Sequence, residues 1–231
     1  MRLLPACWIA AAAAFACLPA FAASGNRALN DRDVQSLVQG YDEPRVDEKE
    51  ANPMTKAILS RNLAAVKQLV LEGADVNGRN DQGLTPLMTA ASLRRTRIAS
   101  YLAESRADLE VRARDGSTAL FFAAQKGSVP MVRLLLDAGA DIDAANDEGV
   151  TPLMVAVIRD KYGAAEALLD NGADCNAQTR SGMRALDLAA LKKNAAMEEL
   201  LRRYGARTGD QENVLVTVID AEERREGTGR P

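Results

Sequence analysis

The strongest constraint in this 231-residue chain is a spacing. Gly83, Gly116, Gly149 and Gly182 stand 33 residues apart, and each opens a near-copy of one segment: "GLTPLMTAA", "GSTALFFAA", "GVTPLMVAV" and "GMRALDLAA". A second series keeps the same interval, with "GADVN" at 73, "RADLE" at 106, "GADID" at 139, "GADCN" at 172 and "GAR" at 205. Two motifs locked to one period in this range mean stacked supersecondary units, each burying its apolar face on its neighbours.

One unit can be built from its residues. Gly83 permits a tight turn. Thr85 can cap a helix with its hydroxyl, and Pro86 suits the first helical position, where its missing N–H is not needed. Ala90 and Ala91 are small enough for neighbouring helices to approach closely. A second helix follows, with apolar residues on one face: Val66, Leu69 and Val70, then Val132, Leu135 and Leu136. Gly73, Gly139, Gly172 and Gly205 stand where a left-handed residue ends that helix. Each unit therefore reads as turn, helix, helix, loop, and the predicted fold class is all-α.

The chain resembles the ankyrin-repeat family. Thr85-Pro86-Leu87 with Ala90-Ala91, Thr151-Pro152-Leu153 with Ala156, and the Gly-Ala-Asp triplets carry the resemblance, which runs from roughly Glu50 to Thr208. It implies a solenoid of five helix-turn-helix repeats with hairpin-like loops, at about 50–82, 83–115, 116–148, 149–181 and 182–208. Three departures stand out. Met88, Phe121, Met154 and Asp187 occupy the position after Thr-Pro-Leu where the family keeps His, so apolar packing is expected to replace its polar link. Arg106 replaces a glycine, and a left-handed Arg costs on the order of 1 kcal/mol. Arg184-Ala185 replaces Thr-Pro, so the fifth unit loses its first cap. Charged residues such as Lys192, Lys193, Arg202 and Arg203 in the last unit, and Lys56 and Arg61 in the first, fit polar ends that keep an array finite.

The resemblance also implies function: binding another protein through the repeat tips and the concave face. Carried over by register, the tips include Arg79, Asp81, Gln82 and Leu84, then Arg112, Arg114 and Ser117, then Asp147, Glu148 and Val150, then Arg180 and Met183. The ends of the first helices add Ser92, Leu93, Gln125, Lys126, Ile158, Arg159, Leu191 and Lys192. The candidate partner-binding set drawn from these is Arg79, Leu84, Leu93, Arg112, Arg114, Phe122, Lys126, Val150, Ile158, Arg159, Met183 and Lys192. Of Phe121 and Phe122, at least one should be buried, leaving the other as a groove anchor.

Composition narrows the alternatives. The formal net charge of -3 argues against a nucleic-acid binder. Histidine is absent, which removes His-based catalysis and His metal sites. No Ser-x-x-Lys, Gly-x-Ser-x-Gly or phosphate-binding Gly-x-x-x-x-Gly-Lys is present. "DIDAANDEG" at 141–149 fails as a calcium loop, because Ala145 takes a ligand position and no glycine falls sixth. Cys175 shares its repeat position with Val76, Leu109 and Ile142, so it reads as a small buried hydrophobe. The expectation is a non-enzyme with no catalytic residue, no cofactor and no metal.

The flanks complete the domain plan. Arg2, the apolar run Leu3 to Leu18 and "AFA" at 20–22 read as an export signal cleaved after Ala22; an uncleaved anchor is the alternative. Cleavage would remove Cys7, Cys17 and Trp8, leaving Cys175 alone and no internal disulfide. Residues 23–49 form a polar leader, in which Asp31 could cap a short helix bearing Val34, Leu37 and Val38. Residues 50–208 are the repeat domain. Residues 209–231 are a tail whose "VLVTVI" at 214–219 is expected to pack on the last repeat or add as a strand to a partner. The whole predicts a monomeric, periplasmic (or else secreted) scaffold that supports or protects a partner enzyme and makes no stable membrane insertion. An inhibitor or immunity protein against a toxic envelope-targeting enzyme is the alternative.

Overall fold

The computed structural model describes residues 51–208; the readings made for the signal, the leader helix and the tail fall outside them. Ten helices pair in chain order: α1 Pro53–Leu59 with α2 Leu63–Leu71, α3 Pro86–Ser92 with α4 Thr96–Glu104, α5 Ala119–Lys126 with α6 Val129–Asp137, α7 Pro152–Ile158 with α8 Tyr162–Asp170, and α9 Ala185–Leu191 with α10 Ala195–Arg203. First helices stack on first helices and second helices on second helices, from α1 to α9 and from α2 to α8. The described residues form an all-helical solenoid, as the period predicts.

None of these helices exceeds nine residues, too short to persist alone in water. Their ends explain where they begin. Thr85, Thr118 and Thr151 accept hydrogen bonds from the amides of Met88, Phe121 and Met154 at 3.2, 3.4 and 3.3 Å, and Asn52 does the same for Thr55 at 2.7 Å. Each cap satisfies an amide that would otherwise be stranded in a buried layer.

Packing explains why they persist. Every residue of α3 and α7 is buried. "PLMVAVI" is apolar on all sides, and the two polar side chains of "PLMTAAS", Thr89 and Ser92, donate back to the Thr85 and Thr89 carbonyls at 3.0 Å each, so both helices suit a central layer. Ala90, Ala91, Ala123, Ala124, Ala156 and Ala189 have no exposed surface. The second helices bury one stripe only, Ile98, Ala99 and Leu102 in α4 and Met131, Val132 and Leu135 in α6.

Two of the three departures resolve in specific ways. The sulfur of Met88 accepts from the Thr85 amide at 3.5 Å, so apolar packing at this position keeps a weak polar link. The fifth unit lacks its threonine cap, but Asp187 accepts from the Arg184 amide at 3.0 Å. The carboxylate therefore supplies half of a reciprocal cap from the opposite side, while the side-chain cap from the residue before the helix is lost, as the sequence implies. Arg106 is left-handed at φ 62°, in register with Gly73 at 90° and Gly139 at 94°.

The loops that follow the second helices are tied together by a repeating polar ladder. Asn77, Glu110, Asp143 and Asn176 each accept from a backbone amide of the next unit, those of Asp108, Asp141, Asp174 and Arg207, at 2.8–3.0 Å. Asp143 is the costly member. Burial raises its carboxyl above the ordinary carboxylate value, and repulsion from Asp174 and Asp141 adds to this, against the hydrogen bond from the Asp174 amide. A raised native pKa means that the native state holds the proton more tightly, so stability falls as pH rises through that window. Asp143→Asn keeps the acceptor and removes the charge, as Asn77 and Asn176 already do. At neutral pH the variant should gain about 0.5 kcal/mol or less after solvent screening, roughly 1–2 °C in Tm. The gain should vanish in thermal melts at a pH low enough to protonate Asp143; a gain that persists there would refute the electrostatic account.

Candidate interaction surface

The loop tips are built from one recurring turn. The Asn80 side chain accepts from the amides of Gln82 and Leu84 at 3.0 and 2.9 Å; Asn146 does the same for Glu148 and Val150 at 3.0 and 2.9 Å. Thr179 accepts from the Met183 amide at 3.1 Å. Neighbouring tips are then joined. The Arg114 guanidinium donates to the Asp81 carbonyl at 2.8 Å, the Asp147 amide to the Asp115 carbonyl at 3.0 Å, and the Arg180 amide to the Glu148 carbonyl at 2.9 Å. Arg112 donates to the Ala145 carbonyl of the next unit, and Arg79 to the Gly83 carbonyl of its own tip at 3.2 Å. Four tips thus form one hydrogen-bonded rim.

This geometry divides the sequence-predicted set. Arg79, Arg112 and Arg114 are exposed on the rim, held by carbonyls that orient them. Leu84, Val150 and Met183 are not part of any outer surface, at 4, 1 and 8 % exposure. Their amides are drawn in by Asn80, Asn146 and Thr179, and each immediately precedes a helix cap, where an apolar residue fixes the entry of the chain into the helix. Phe122 (6 %) and Ile158 (2 %) are buried too. Phe122 meets Phe121 edge-on, with ring centroids 6.2 Å apart, so both phenylalanines belong to the core and neither anchors a groove.

The first-helix positions are also mostly interior: Ser92 and Gln125 are buried, and only the residues at the very ends remain accessible. Leu93, Lys126, Arg159 and Lys192 are half-buried and fall in one column at the 33-residue period. They lie at the helix–helix turns, away from the loop tips in the chain. Lys192 donates to the Ile158 carbonyl and pairs with Asp160. The sequence reading missed what shapes these turns. Arg61, Arg94, Gly127, Asp160 and Lys193, again 33 apart, are all left-handed, with φ from 54 to 67°. Only one of the five is glycine, so no glycine series marked them.

The remaining chemistry is sparse. No group of three or more His, Cys, Asp or Glu that could hold a metal occurs among the described residues. Cys175 is buried, with its thiol donating to the Tyr204 carbonyl at 3.4 Å; burial first, and then Asp174, raises its pKa and disfavours the reactive thiolate. No described helix is long and apolar enough to cross a membrane.

No curated protein matches the chain. A family model described as ankyrin repeats (3 copies) matches residues 20–113 and 106–179. The match begins ahead of the described residues, where Gly40-Tyr41-Asp42 lies 33 residues before Gly73-Ala74-Asp75. With the paired helices, the threonine caps and the jointed tips all repeating in step with that match, the chain belongs to the ankyrin-repeat family.

Proposed function

We propose that this chain is a non-catalytic scaffold of the periplasm, which binds a partner enzyme through its loop rim and supports or protects it. Ankyrin repeats are protein–protein interaction scaffolds. The observation that carries the reading is the hydrogen-bonded rim. Arg79, Arg112 and Arg114 stand exposed on a backbone already fixed by neighbouring tips, so little side-chain and loop entropy remains to be lost on binding. Arginine is also the residue type most often found at the energetic centre of protein interfaces. Export rests on residues 1–22, and cell fractionation with N-terminal sequencing checks it: a mature chain starting at Ala23 is expected.

The binding surface has its own test. Wild-type protein and an Arg79→Gln/Arg112→Gln/Arg114→Gln variant are cross-linked in periplasmic extract, and the captured enzyme is quantified. Capture should fall by roughly tenfold or more in the variant, since each Arg lost from an interface centre costs about 1 kcal/mol or more. Equal capture by a variant that melts like wild type would overturn the rim as the surface.

A further inference from the structure

The chain contains two Asn-Gly pairs, Asn77-Gly78 and Asn171-Gly172. In such a pair the glycine nitrogen can attack the asparagine side-chain carbon, because no Cβ on the following residue hinders its approach. The structure treats the two pairs differently. Asn171 ends α8: its side-chain amide donates to the Ala167 carbonyl at 2.7 Å, and the Gly172 amide donates to the Leu169 carbonyl at 3.0 Å. Both reacting groups are thus turned back onto the helix. Asn77 belongs instead to the polar ladder, with its Oδ1 accepting from the Asp108 amide of the next unit at 2.9 Å.

Gly78 is a glycine that its backbone does not require. Val111, Ala144 and Ala177 hold the same repeat position in the following units, and the Gly78 φ lies outside the left-handed region. The turn also shows how a Cβ is accommodated here. The amide at this position donates to the carbonyl of the ladder-loop acid before it, at 3.1 Å from Gly78 to Asp75 but at 3.4 Å from Ala144 to Asp141 and 3.5 Å from Ala177 to Asp174. A Cβ on Gly78 would stand 3.2 Å from the Asp75 carbonyl oxygen, and the same easing of the turn would relieve it.

The ladder bond aims a donor at the atom that matters. When the Gly78 nitrogen adds to Cγ of Asn77, negative charge develops on Oδ1, the oxygen that the Asp108 N–H already holds. A fixed backbone donor at a developing oxyanion lowers the barrier to such an addition. Asn176 accepts in the same way from the Arg207 amide at 2.8 Å, but the residue after it is Ala177, whose Cβ obstructs the attack. Two asparagines therefore serve as internal controls. Asn171 shares the sequence pair but not the ladder position, and Asn176 shares the ladder position but not the glycine.

We propose that Asn77 is a modification site, at which spontaneous deamidation is selected by the folded array. Hydroxide removes the Gly78 amide proton, and the nitrogen forms a bond to Cγ of Asn77. The Cγ–Nδ2 bond breaks, and Nδ2 takes a proton from water and leaves as ammonia, which restores the hydroxide and leaves a cyclic imide. Water then opens the imide at either carbonyl, giving aspartate or isoaspartate. Nothing is oxidised or reduced, and water is the only co-reactant. The aspartate product puts a carboxylate where Asp143 serves the ladder two units on, so the bond from the Asp108 amide can persist. In isoaspartate the main chain gains a carbon and the carboxylate is displaced, so this link between the first and second units is lost.

The test incubates the purified chain at mildly alkaline pH, once folded and once in urea. Conversion at each asparagine is followed by peptide mass spectrometry, with fragmentation to separate Asn171 from Asn176. In the folded chain Asn77 should react roughly tenfold or more faster than either control. In urea the two Asn-Gly pairs should react at similar rates, with Asn176 still slow. Gly78→Ala should slow conversion at Asn77 by roughly tenfold or more, and circular dichroism should show an unchanged fold, since alanine already occupies this position in two other units. Folded-state rates at Asn171 that equal or exceed those at Asn77 overturn the proposal, as does an Asn77 that is inert when folded and reactive in urea. A preference for Asn77 that is equally large in urea overturns it too, because the local sequence and not the fold would then make the selection. So does a Gly78→Ala chain that converts at Asn77 as fast as wild type.

Discussion

Phe121→Ala should be the most damaging single truncation in the array, costing about 3–5 kcal/mol. Phe121 is among the largest fully buried side chains, it lies in the middle unit, and its ring is the edge-on partner of Phe122. The helix that carries it, α5, packs on α3 to one side and α7 to the other. A loss there weakens two interfaces at once. A stacked array derives its cooperativity from nearest-neighbour interfaces, so the lesion should do more than lower the midpoint. Urea unfolding followed by circular dichroism should show a lower midpoint and a broadened or split transition, as the two halves uncouple. Met197→Ala in the terminal helix α10 is the control. Its side chain is equally buried, but the break falls at one end, and the cost should be about 2–5 kcal/mol with the main transition still single. A sharp single transition in Phe121→Ala, shifted by less than about 1 kcal/mol, would mean that the middle unit is not the coupling element.

The reason that Phe121 sits there was partly legible in the sequence. Glycine, threonine and proline are read easily because each has a backbone function: the turn glycines, the threonine caps and the prolines all fall where their chemistry requires. The left-handed Arg106 was legible for the same reason, through its register with glycines. The helix–helix turns were not. A left-handed residue that is Arg, Asp or Lys carries no mark in a single sequence, because stacking of the flanking helices imposes the conformation.

The candidate site was legible in register and misread in side-chain direction. Arg79, Arg112 and Arg114 fall on the rim, and their charge alone argues for solvent. Leu84, Val150 and Met183 share those loops in the sequence yet point the other way, because a side-chain amide or hydroxyl four residues earlier captures their backbone. An apolar residue just ahead of a cap threonine is a core residue, and that local rule would have separated the two groups. Asp187 was read only as a missing histidine, although its place three residues after the cap position made it a candidate partner for the Arg184 amide.

The repeated glycine that opens each unit offers a graded test of how much of this is backbone and how much is packing. Gly149 and Gly182 have nearly the same conformation, φ 78 and 80°. Their surroundings differ. A Cβ on Gly182 would meet nothing within 4 Å, whereas one on Gly149 would stand 2.8 Å from the Arg180 amide nitrogen and 3.1 Å from the Thr179 Cα. Those atoms cannot easily retreat, because the Arg180 amide is bonded to the Glu148 carbonyl at 2.9 Å and the Thr179 amide to the Met183 carbonyl at 2.9 Å. Gly182→Ala should therefore show the left-handed penalty alone, about 1–2 kcal/mol, or roughly 2–8 °C in Tm. Gly149→Ala should show that penalty plus a backbone clash of about 1–3 kcal/mol, and should also loosen the rim by pushing the third and fourth tips apart. Hydrogen exchange can see the second effect directly: the Arg180 amide should lose protection in Gly149→Ala and keep it in Gly182→Ala. Equal losses of stability in the two variants would show that the tips give way to each other freely, and a rim that gives way in that manner could not hold its arginines in place for a partner.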